Sequence, residues 1–433
     1  MKQKYLVIGA GGMGEAIAYD ILKYNPKTSK VHVVDANENR TSGLKISLER
    51  SLEKRLSSKN LTTEKADASD YERLEQIMKD YEVIINASSY EFNEGLTKAA
   101  IKTGRHFLDL GGNNDVVAKQ FALHEKAKRN RCKIIPAQGI APGAVSIISE
   151  LAVQEFKKEN NCYPQYVKIF CGGIPRHPKG MLKYMLTFSV KGLINEYKEK
   201  AEVIKNFRRK EIDPLMILED LLIFEDPRFD NGKLVTQAAA TSGGLATLTE
   251  TYEFLIENVE YNTLRHYSKP SHWEIMAMLK EDGFFEEDKV AGKITARQFT
   301  EQIKKSRSTK NEEVLEQLGF LEDKLVVENM TPRMMTEHLI ERSTSYNDQD
   351  LLLVKIITGN SRSKNSYELV DFFDEKTGHR AMQRTTGYSA SIVAQMLAQG
   401  KICNEGVLRS EVSIPPKLFV KEWKKRGLVL KKH

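Results

Sequence analysis

The stretch from Lys4 to Gly14, KYLVIGAGGMG, constrains this chain more than any other. Five residues of strand character, Lys4 to Ile8, run straight into Gly9-Ala10-Gly11-Gly12-Met13-Gly14, and a helical pattern begins at once. This is G-x-G-x-x-G in the setting that gives it meaning, after a strand and at the start of a helix. Gly9 permits a tight turn, Gly11 lets a pyrophosphate approach the backbone, and Gly14 lets helix and strand pack closely. Gly12 and Met13 complete a loop whose free N–H groups and helix dipole would face phosphates.

The residues that follow extend the pattern. Ile17, Ala18, Ile21 and Leu22 fall on one helical face, and Pro26 ends it. Val31 to Val34 reads as a buried strand closing on Asp35, an acid 21 residues past Gly14. A carboxylate at that offset accepts hydrogen bonds from the adenosine ribose and repels a 2′-phosphate, so NAD is the expected cofactor. Arg40 could pair with such a phosphate, which keeps NADP open. Helices expected over 41–57, 71–79, 93–103 and 116–129 alternate with strands over 61–66, 82–86, 106–110 and 132–136. Repeated strand–helix units with apolar strands predict an α/β fold, a doubly wound parallel Rossmann sheet. Ligands in such sheets sit beyond the strand C-termini, which places Ala87, Ser88 and Gly111 beside a nicotinamide ring.

From about Gly143 the pattern changes to an α+β domain with a mixed sheet. Strands are expected over 166–171, 184–189, 233–239, 261–264 and 351–357, and helices over 245–258, 272–280 and 296–305. Residues 281–350 are the most polar section and read as exposed helices and loops, with Phe284 and Phe285 as core. A last apolar helix near 389–398 is expected to return to the first domain. The expected division is 1–143 for the dinucleotide-binding domain, 144–380 for substrate binding and dimerisation, and 381–433 for the returning segment.

Composition narrows the function classes. Lys and Arg number 66 against 59 Asp and Glu among 433 residues, a mild excess spread along the chain. Its basic C-terminal end reads as a solvated helix face, so neither nucleic acid nor a membrane is an expected partner. Anionic small molecules suit the balance better. Four scattered cysteines, Cys132, Cys162, Cys171 and Cys403, lack metal-binding spacing and fit a reducing compartment. No apolar run reaches the roughly 18–20 residues that span a bilayer, so a cytoplasmic protein without a metal site is expected.

At this point the motifs resemble a known family, the saccharopine dehydrogenase-like oxidoreductases, and most closely the branch that includes lysine 6-dehydrogenase. The matching stretches are GAGGMG, DLGGNNDVV (109–117), GIAPG (139–143), CGGIP (171–175), FSVKGLINEY (188–197) and TSGGLATLTET (241–251). AMQRTTGYSASIVAQMLAQGKI (381–402) and KRGLVL (425–430) complete them. Relatives often carry Asp-Cys before GIAPG, where this chain has Ala137-Gln138, so no role of that acid or thiol carries over. The resemblance implies a dinucleotide-binding domain split around a substrate and dimerisation domain, and therefore a homodimer. It also implies oxidation of an amino-acid C–N bond by nicotinamide, with the resulting imine hydrolysed by water. Lysine, oxidised at its ε-carbon with loss of ammonia, is the first substrate this suggests. Saccharopine, cleaved to an aldehyde and glutamate, is the second, and a polyamine-forming reductase is a further alternative. A catalytically silent dinucleotide-binding protein is the rival from another class.

Such chemistry needs a base near neutrality, an acid for imine hydrolysis and a cation or N–H group for the substrate carboxylate. Asp109 leads the catalytic candidates because it ends a parallel strand before Gly111-Gly112, where it could equally orient the loop. Glu196, Tyr197 and His177 lie in family motifs of the second domain. For substrate binding, Arg384 and Thr385 of RTTG offer a charged fork and a hydroxyl, with an interdomain ion pair as the alternative for Arg384. Thr241 and Ser242 precede a helical pattern and would hold an anion at a helix N-terminus or cap that helix. His272, His266 and His106 read as structural.

Overall fold

The computed structural model describes residues 3–25, 29–53, 56–57, 59–215, 221–303 and 312–433. Seven strands form the first sheet, all parallel, and six of them are those expected from the apolar runs. Gln3–Ile8 lies inside it, flanked by Ser29–Asp35 on one side and Val83–Asn86 on the other. Leu61–Lys65 closes the first edge. His106–Asp109, Lys133–Ile135 and Gly406–Val407 continue the other. The chain therefore reverses its direction of winding between Gln3–Ile8 and Val83–Asn86, and the crevice above that switch point is where a doubly wound sheet binds its ligand. The strands are apolar on both faces because helices cover both; Leu6, Val7, Ile84 and Ile85 are fully buried.

The second sheet is mixed. Leu222–Glu225, Lys233–Ala240, Asn258–His266, Tyr166–Pro175, Asp350–Gly359, Lys364–Phe372 and Lys431–Lys432 follow one another, with the hairpin Ala201–Lys205/Arg208–Ile212 attached beside Asn258–His266. Only Asn258–His266 and Tyr166–Pro175 pair in parallel; their neighbours are antiparallel. One apolar core runs between the sheets, joining the Gly12–Tyr24, Ala144–Asn160 and Ala381–Ala398 helices to a face of the second sheet.

The C-terminal chain ties both sheets together. Ala381–Ala398 lies so close to Gly12–Tyr24 that a Cβ on Gly387 would sit 2.7 Å from that of Ala16. At the far end of the same contact Arg426 reaches Asp20, Nε to Oδ1 at 2.6 Å and Nη2 to Oδ2 at 3.0 Å, while Ser391 and Gln395 also donate to Asp20. Every lone pair of this buried carboxylate that matters has a donor, the condition under which a buried ion pair is tolerated.

Several expectations need correction. The helix expected over 41–57 is Glu38–Ser51, starting earlier because the Asn37 side chain accepts the Asn39 N–H at 3.0 Å. The 116–129 helix is two, Asn114–Phe121 and His124–Arg129, with the break at Ala122 and Leu123. No strand forms over 184–189; Tyr184 is instead buried in a second apolar core with Leu182 and Tyr197. Within 245–258 only Leu248–Tyr252 is helical, since the chain turns at Phe254 with φ of 68° and enters a strand at Asn258. The polar 281–350 section is more than surface. Its Phe284, Phe299 and Phe320 fill that second core, with Phe285 beside them. Pro26, Lys54, Arg55, Lys304 and Lys305, which entered these expectations, lie outside the described residues. Among the described residues no helix is long and apolar enough to cross a membrane.

Candidate functional site

The glycine turn is shaped by contacts only glycine allows. Gly9 has φ of 105°, and a Cβ there would lie 2.9 Å from the Ala87 carbonyl group across the switch point. A Cβ on Gly14 would lie 1.9 Å from the Gly9 carbonyl oxygen, so strand and helix meet without room for a side chain. Gly11 differs: a Cβ there would meet nothing within 4 Å. Its glycine is not required by the protein's own packing, and the open space lies where the first-turn N–H groups of Gly12, Met13 and Gly14 have no helical acceptor. That combination fits a phosphate-bearing ligand. Asp35 closes the far side, its Oδ2 accepting the Ala10 N–H and its Oδ1 the Asn37 N–H, both at 2.8 Å. Beyond Val83–Asn86, the buried Asn86 side chain accepts from the Ser88 N–H and hydroxyl, fixing the Ala87-Ser88 turn.

From this crevice a cleft of about 490 Å³ runs toward the second sheet. Met13, Ser88 and Gly111 line its nucleotide end, and Glu196, Ser242 and Arg265 line its other wall. Glu196 stands on Val190–Lys198, a helix capped by the Ser189 hydroxyl. Its backbone carbonyl accepts the Ser242 N–H at 3.0 Å, which locks the TSGG loop to this helix. The Oε2 atom is buried without a hydrogen bond, although 30% of the side chain remains exposed to the cleft. Burial pushes the Glu196 carboxyl up to about 7, against the opposing pull of the Arg265 guanidinium 3.9 Å away. A carboxyl near neutrality in a cleft wall can hold a proton or accept one. Cys171 shares the cleft, but burial holds its thiol protonated, up to about 12, so it is no nucleophile.

Other expected site residues lie elsewhere. Asp109 is fully buried behind the wall, its carboxylate accepting the Gly111 and Ala137 N–H groups at 2.8 and 3.0 Å and the Gln120 amide at 2.7 Å. It organises the loops that border the cleft and does not line the cleft. His177 is exposed and bonded to Asp348 at 2.9 Å, away from the cleft. Tyr197, on the opposite face of its helix from the cleft, is buried between His272 and Arg265, at 3.0 and 2.9 Å. Arg384 pairs with Asp371 at 2.9 Å and Asp374 at 3.0 Å, on and just after the strand Lys364–Phe372, and is engaged there. Thr385 turns its hydroxyl back to the Ala381 carbonyl, leaving Thr386 to face the cleft. Thr241 bonds Thr263 at 2.7 Å, and the helix after it starts only at Leu248, so no helix N-terminus stands at TSGG. Gln138 is buried and accepts from Ser410 at 2.7 Å.

Arg265, Lys191 and Glu199 line the cleft without having been singled out from sequence. For Arg265 the available signal was weak: an arginine near the end of a strand, Asn258–His266, that also carries Glu260 and two asparagines.

A glycine cradle at the switch point of a parallel sheet, opening onto a cleft against a mixed sheet, defines a two-domain dinucleotide-binding α/β protein. Residues 5–135 match the family model described as the saccharopine dehydrogenase NADP binding domain, and residues 139–428 match the saccharopine dehydrogenase C-terminal domain. The chain belongs to the saccharopine dehydrogenase family, and its first domain is built for a nicotinamide dinucleotide. Among curated proteins, it is 24% identical over 155 residues to saccharopine dehydrogenase [NADP(+), L-glutamate-forming] of Schizosaccharomyces pombe, a match covering 35% of this chain and 34% of that protein. Its fold is similar to that of the L-Glu-forming saccharopine dehydrogenase of Saccharomyces cerevisiae, with TM-score 0.76, 16% identity and coverage of 100% of this chain and 99% of that one. It is also similar to a homospermidine synthase of Legionella pneumophila solved with NAD, with TM-score 0.59, 12% identity and coverage of 100% and 91%.

Proposed function

We propose that this protein is an NAD(P)-dependent oxidoreductase that makes or breaks the C–N bond of an amino acid, with Glu196 handling the amine proton. The observation that carries the reading is Glu196 in the wall of the cleft that begins at the dinucleotide cradle, its buried Oε2 accepting no hydrogen bond and standing 3.9 Å from the Arg265 guanidinium. An alkylammonium, with a free pKa of about 10.4, cannot release hydride from its neighbouring carbon until it loses a proton. The nicotinamide, when bound, takes that hydride. Glu196, ionised above about pH 7, accepts the amine proton, so the carbon and nitrogen are left joined as an imine. Protonated Glu196 can return the proton as water adds and the C–N bond breaks, giving a carbonyl compound and an amine. The backbone N–H groups of Gly12, Met13 and Gly14 would hold the pyrophosphate, and Asp35 the adenosine ribose. Asp35 supports NAD, whereas the matched family model is described by NADP, so both belong in the assay.

Lysine is the substrate suggested by FSVKGLINEY and RTTG. A second reading, saccharopine, is supported by the family match and by the similarity to the L-glutamate-forming saccharopine dehydrogenase of Schizosaccharomyces pombe. The test is an amine panel with NAD and NADP in parallel, read at the nicotinamide absorbance. Reduction with lysine or saccharopine, lost in Glu196→Gln, is expected. Tight NADH binding with no turnover across the panel would instead make this a silent dinucleotide-binding protein. The homodimer belongs to the same proposal, and sedimentation would check it.

A further inference from the structure

Behind the cleft wall lies a second, smaller space. It measures about 10 Å³, room for about one water, and borders the cleft through Val117, Ala137, Pro142 and Ala246, which line both. Its other side is polar, with Ser410 and Glu411, both buried, on the short turn Ser410–Ser413. Glu411 also lines a third cavity of about 380 Å³, which opens to the surface beside Leu255 and Val412 and shares no residue with the cleft.

The polar groups around the small space have capacity to spare. Ser410 donates its hydroxyl proton to the Gln138 amide oxygen at 2.7 Å. The nitrogen of that same amide is fully buried and has no hydrogen-bond partner among the described residues. Glu411 is steadied by the hydroxyls of Thr247 and Thr251, at 2.9 and 2.6 Å. An orphaned amide donor, a hydroxyl and a carboxylate are the kind and number of partners that hold a buried water. The partition toward the cleft is thin and strained. Ala137 and Ala246 each place only a methyl group there, with φ of 56° and 44°, left-handed values that alanine seldom adopts. Strain of this kind gathers at functional sites.

We propose that the small space seats a water admitted past Glu411 from the third cavity, and that this water adds to the imine in the cleft. The inference rests on the C–N oxidation reading. With dinucleotide at one end of the cleft and amino acid at the other, the mouth is closed to solvent, so hydrolysis needs a supply from behind. The water oxygen bonds to the imine carbon while the C=N electron pair moves to nitrogen, which takes a proton from Glu196. The C–N bond then breaks, its electron pair leaves on the amine, and a carbonyl forms. Both water protons end on the departing nitrogen, Glu196 is left as it began, and no oxidant is consumed. Ser410, Glu411 and Gln138 are positioning residues in this scheme.

Rapid mixing separates the two steps. In Ser410→Val and Gln138→Met the first burst of NADH should keep its wild-type rate and amplitude, while steady-state turnover falls roughly 10- to 100-fold, the scale for a misplaced reactant. Hydroxylamine, entering by the cleft mouth and attacking the imine in place of water to give an oxime, should restore turnover in both variants. A crystal structure of the wild type with NAD should show a water within hydrogen-bond distance of the Ser410 hydroxyl and the Gln138 amide nitrogen. If Gln138→Met fails to fold, Ser410→Val and that water still decide. No water in the small space, an unimpaired steady state in the variants, or a burst that falls in step with turnover overturns the proposal. A wild type that turns over while both variants match it removes the water route alone. A wild type that forms no NADH from any amine removes the oxidoreductase reading, and the water route with it.

Discussion

Replacing Glu196 with Gln tests the site through two readouts that a bystander residue would not move together. The carboxyl sits above its ordinary 4.5, at about 7, because burial disfavours the ionised form. Between those two values the folded protein therefore binds more protons than the unfolded chain, and stability falls as pH rises. The penalty is absent below about pH 4.5 and complete above about pH 7. At about 1.4 kcal/mol per pH unit the full figure would be about 3.5 kcal/mol. The 30% of the side chain that faces the cleft lets water reduce it, so about 1–2 kcal/mol is the reasonable expectation. Glu196→Gln should thus be more stable than wild type at pH 8 by about that amount and equal to it near pH 4, measured by urea unfolding. Its oxidative kcat/KM should fall roughly 10²- to 10⁴-fold, and the acid limb of the wild-type pH profile, centred near 7, should disappear. The charged and titratable groups coupled to this carboxyl are Arg265, Cys171, Tyr184, Tyr197 and Tyr261, none of which changes charge in that window. A retained acid limb near pH 7, or a mutant less stable than wild type at pH 8, would refute the assignment.

The dinucleotide cradle gives a paired prediction. Gly11→Ala, meeting open space, should melt as wild type yet bind NADH roughly tenfold or more weakly, whereas Gly14→Ala, facing the Gly9 carbonyl oxygen at 1.9 Å, should lose stability and cofactor together. Thermal melts and NADH fluorescence titrations check both, and equal behaviour of the two variants would contradict the phosphate assignment of Gly11. Asp35→Ala should raise the KM for NAD roughly tenfold and narrow any preference over NADP. An unchanged KM would place the ribose elsewhere. Arg384→Met, which strips Asp371 and Asp374 of their partner, should cost about 3 kcal/mol or more in stability with little change in substrate KM. A large KM effect in a stably folded variant would return Arg384 to the substrate.

Much of the first domain was legible because its signals are local. Apolar runs such as Val83–Asn86 can only be strands covered on both faces, and the glycine spacing fixes which strand ends hold a ligand. The second domain was less so. Arg208–Ile212 is a strand of five residues, four of them both exposed and charged, which no hydrophobic pattern reveals. Tyr184 looked like strand because it is aromatic in a β-rich run, but its ring is used to pack the buried guanidinium. The same limit applied to site residues. Asp109, Glu196, His177 and Arg384 are equally polar in sequence, and burial separated them: one holds loops, one borders the cleft, one is solvated and one is paired.

Asp109 and Glu196 show how one wall can carry two acids with different tasks. Burial pushes both carboxyls up, but Asp109 has three hydrogen-bond donors, whereas Glu196 Oε2 accepts no hydrogen bond and has the Arg265 guanidinium 3.9 Å away. An acid with every lone pair assigned has nothing left for a substrate, whereas an unassigned one beside a buried arginine costs stability until a ligand arrives. The fold tolerates that cost because the Val190–Lys198 helix is anchored at its other points, through the Ser242 N–H on the Glu196 carbonyl and Tyr197 in the second core. The C-terminal helix Ala381–Ala398 then matters to chemistry through position rather than contact. It packs on Gly12–Tyr24, sets Asp350 against its own first N–H groups, and so holds the cradle and the second sheet at a fixed separation. A proton-handling group on the Val190–Lys198 helix can serve a cofactor at the first sheet only if that separation is fixed, and the buried Asp20–Arg426 pair secures the far end of the helix contact.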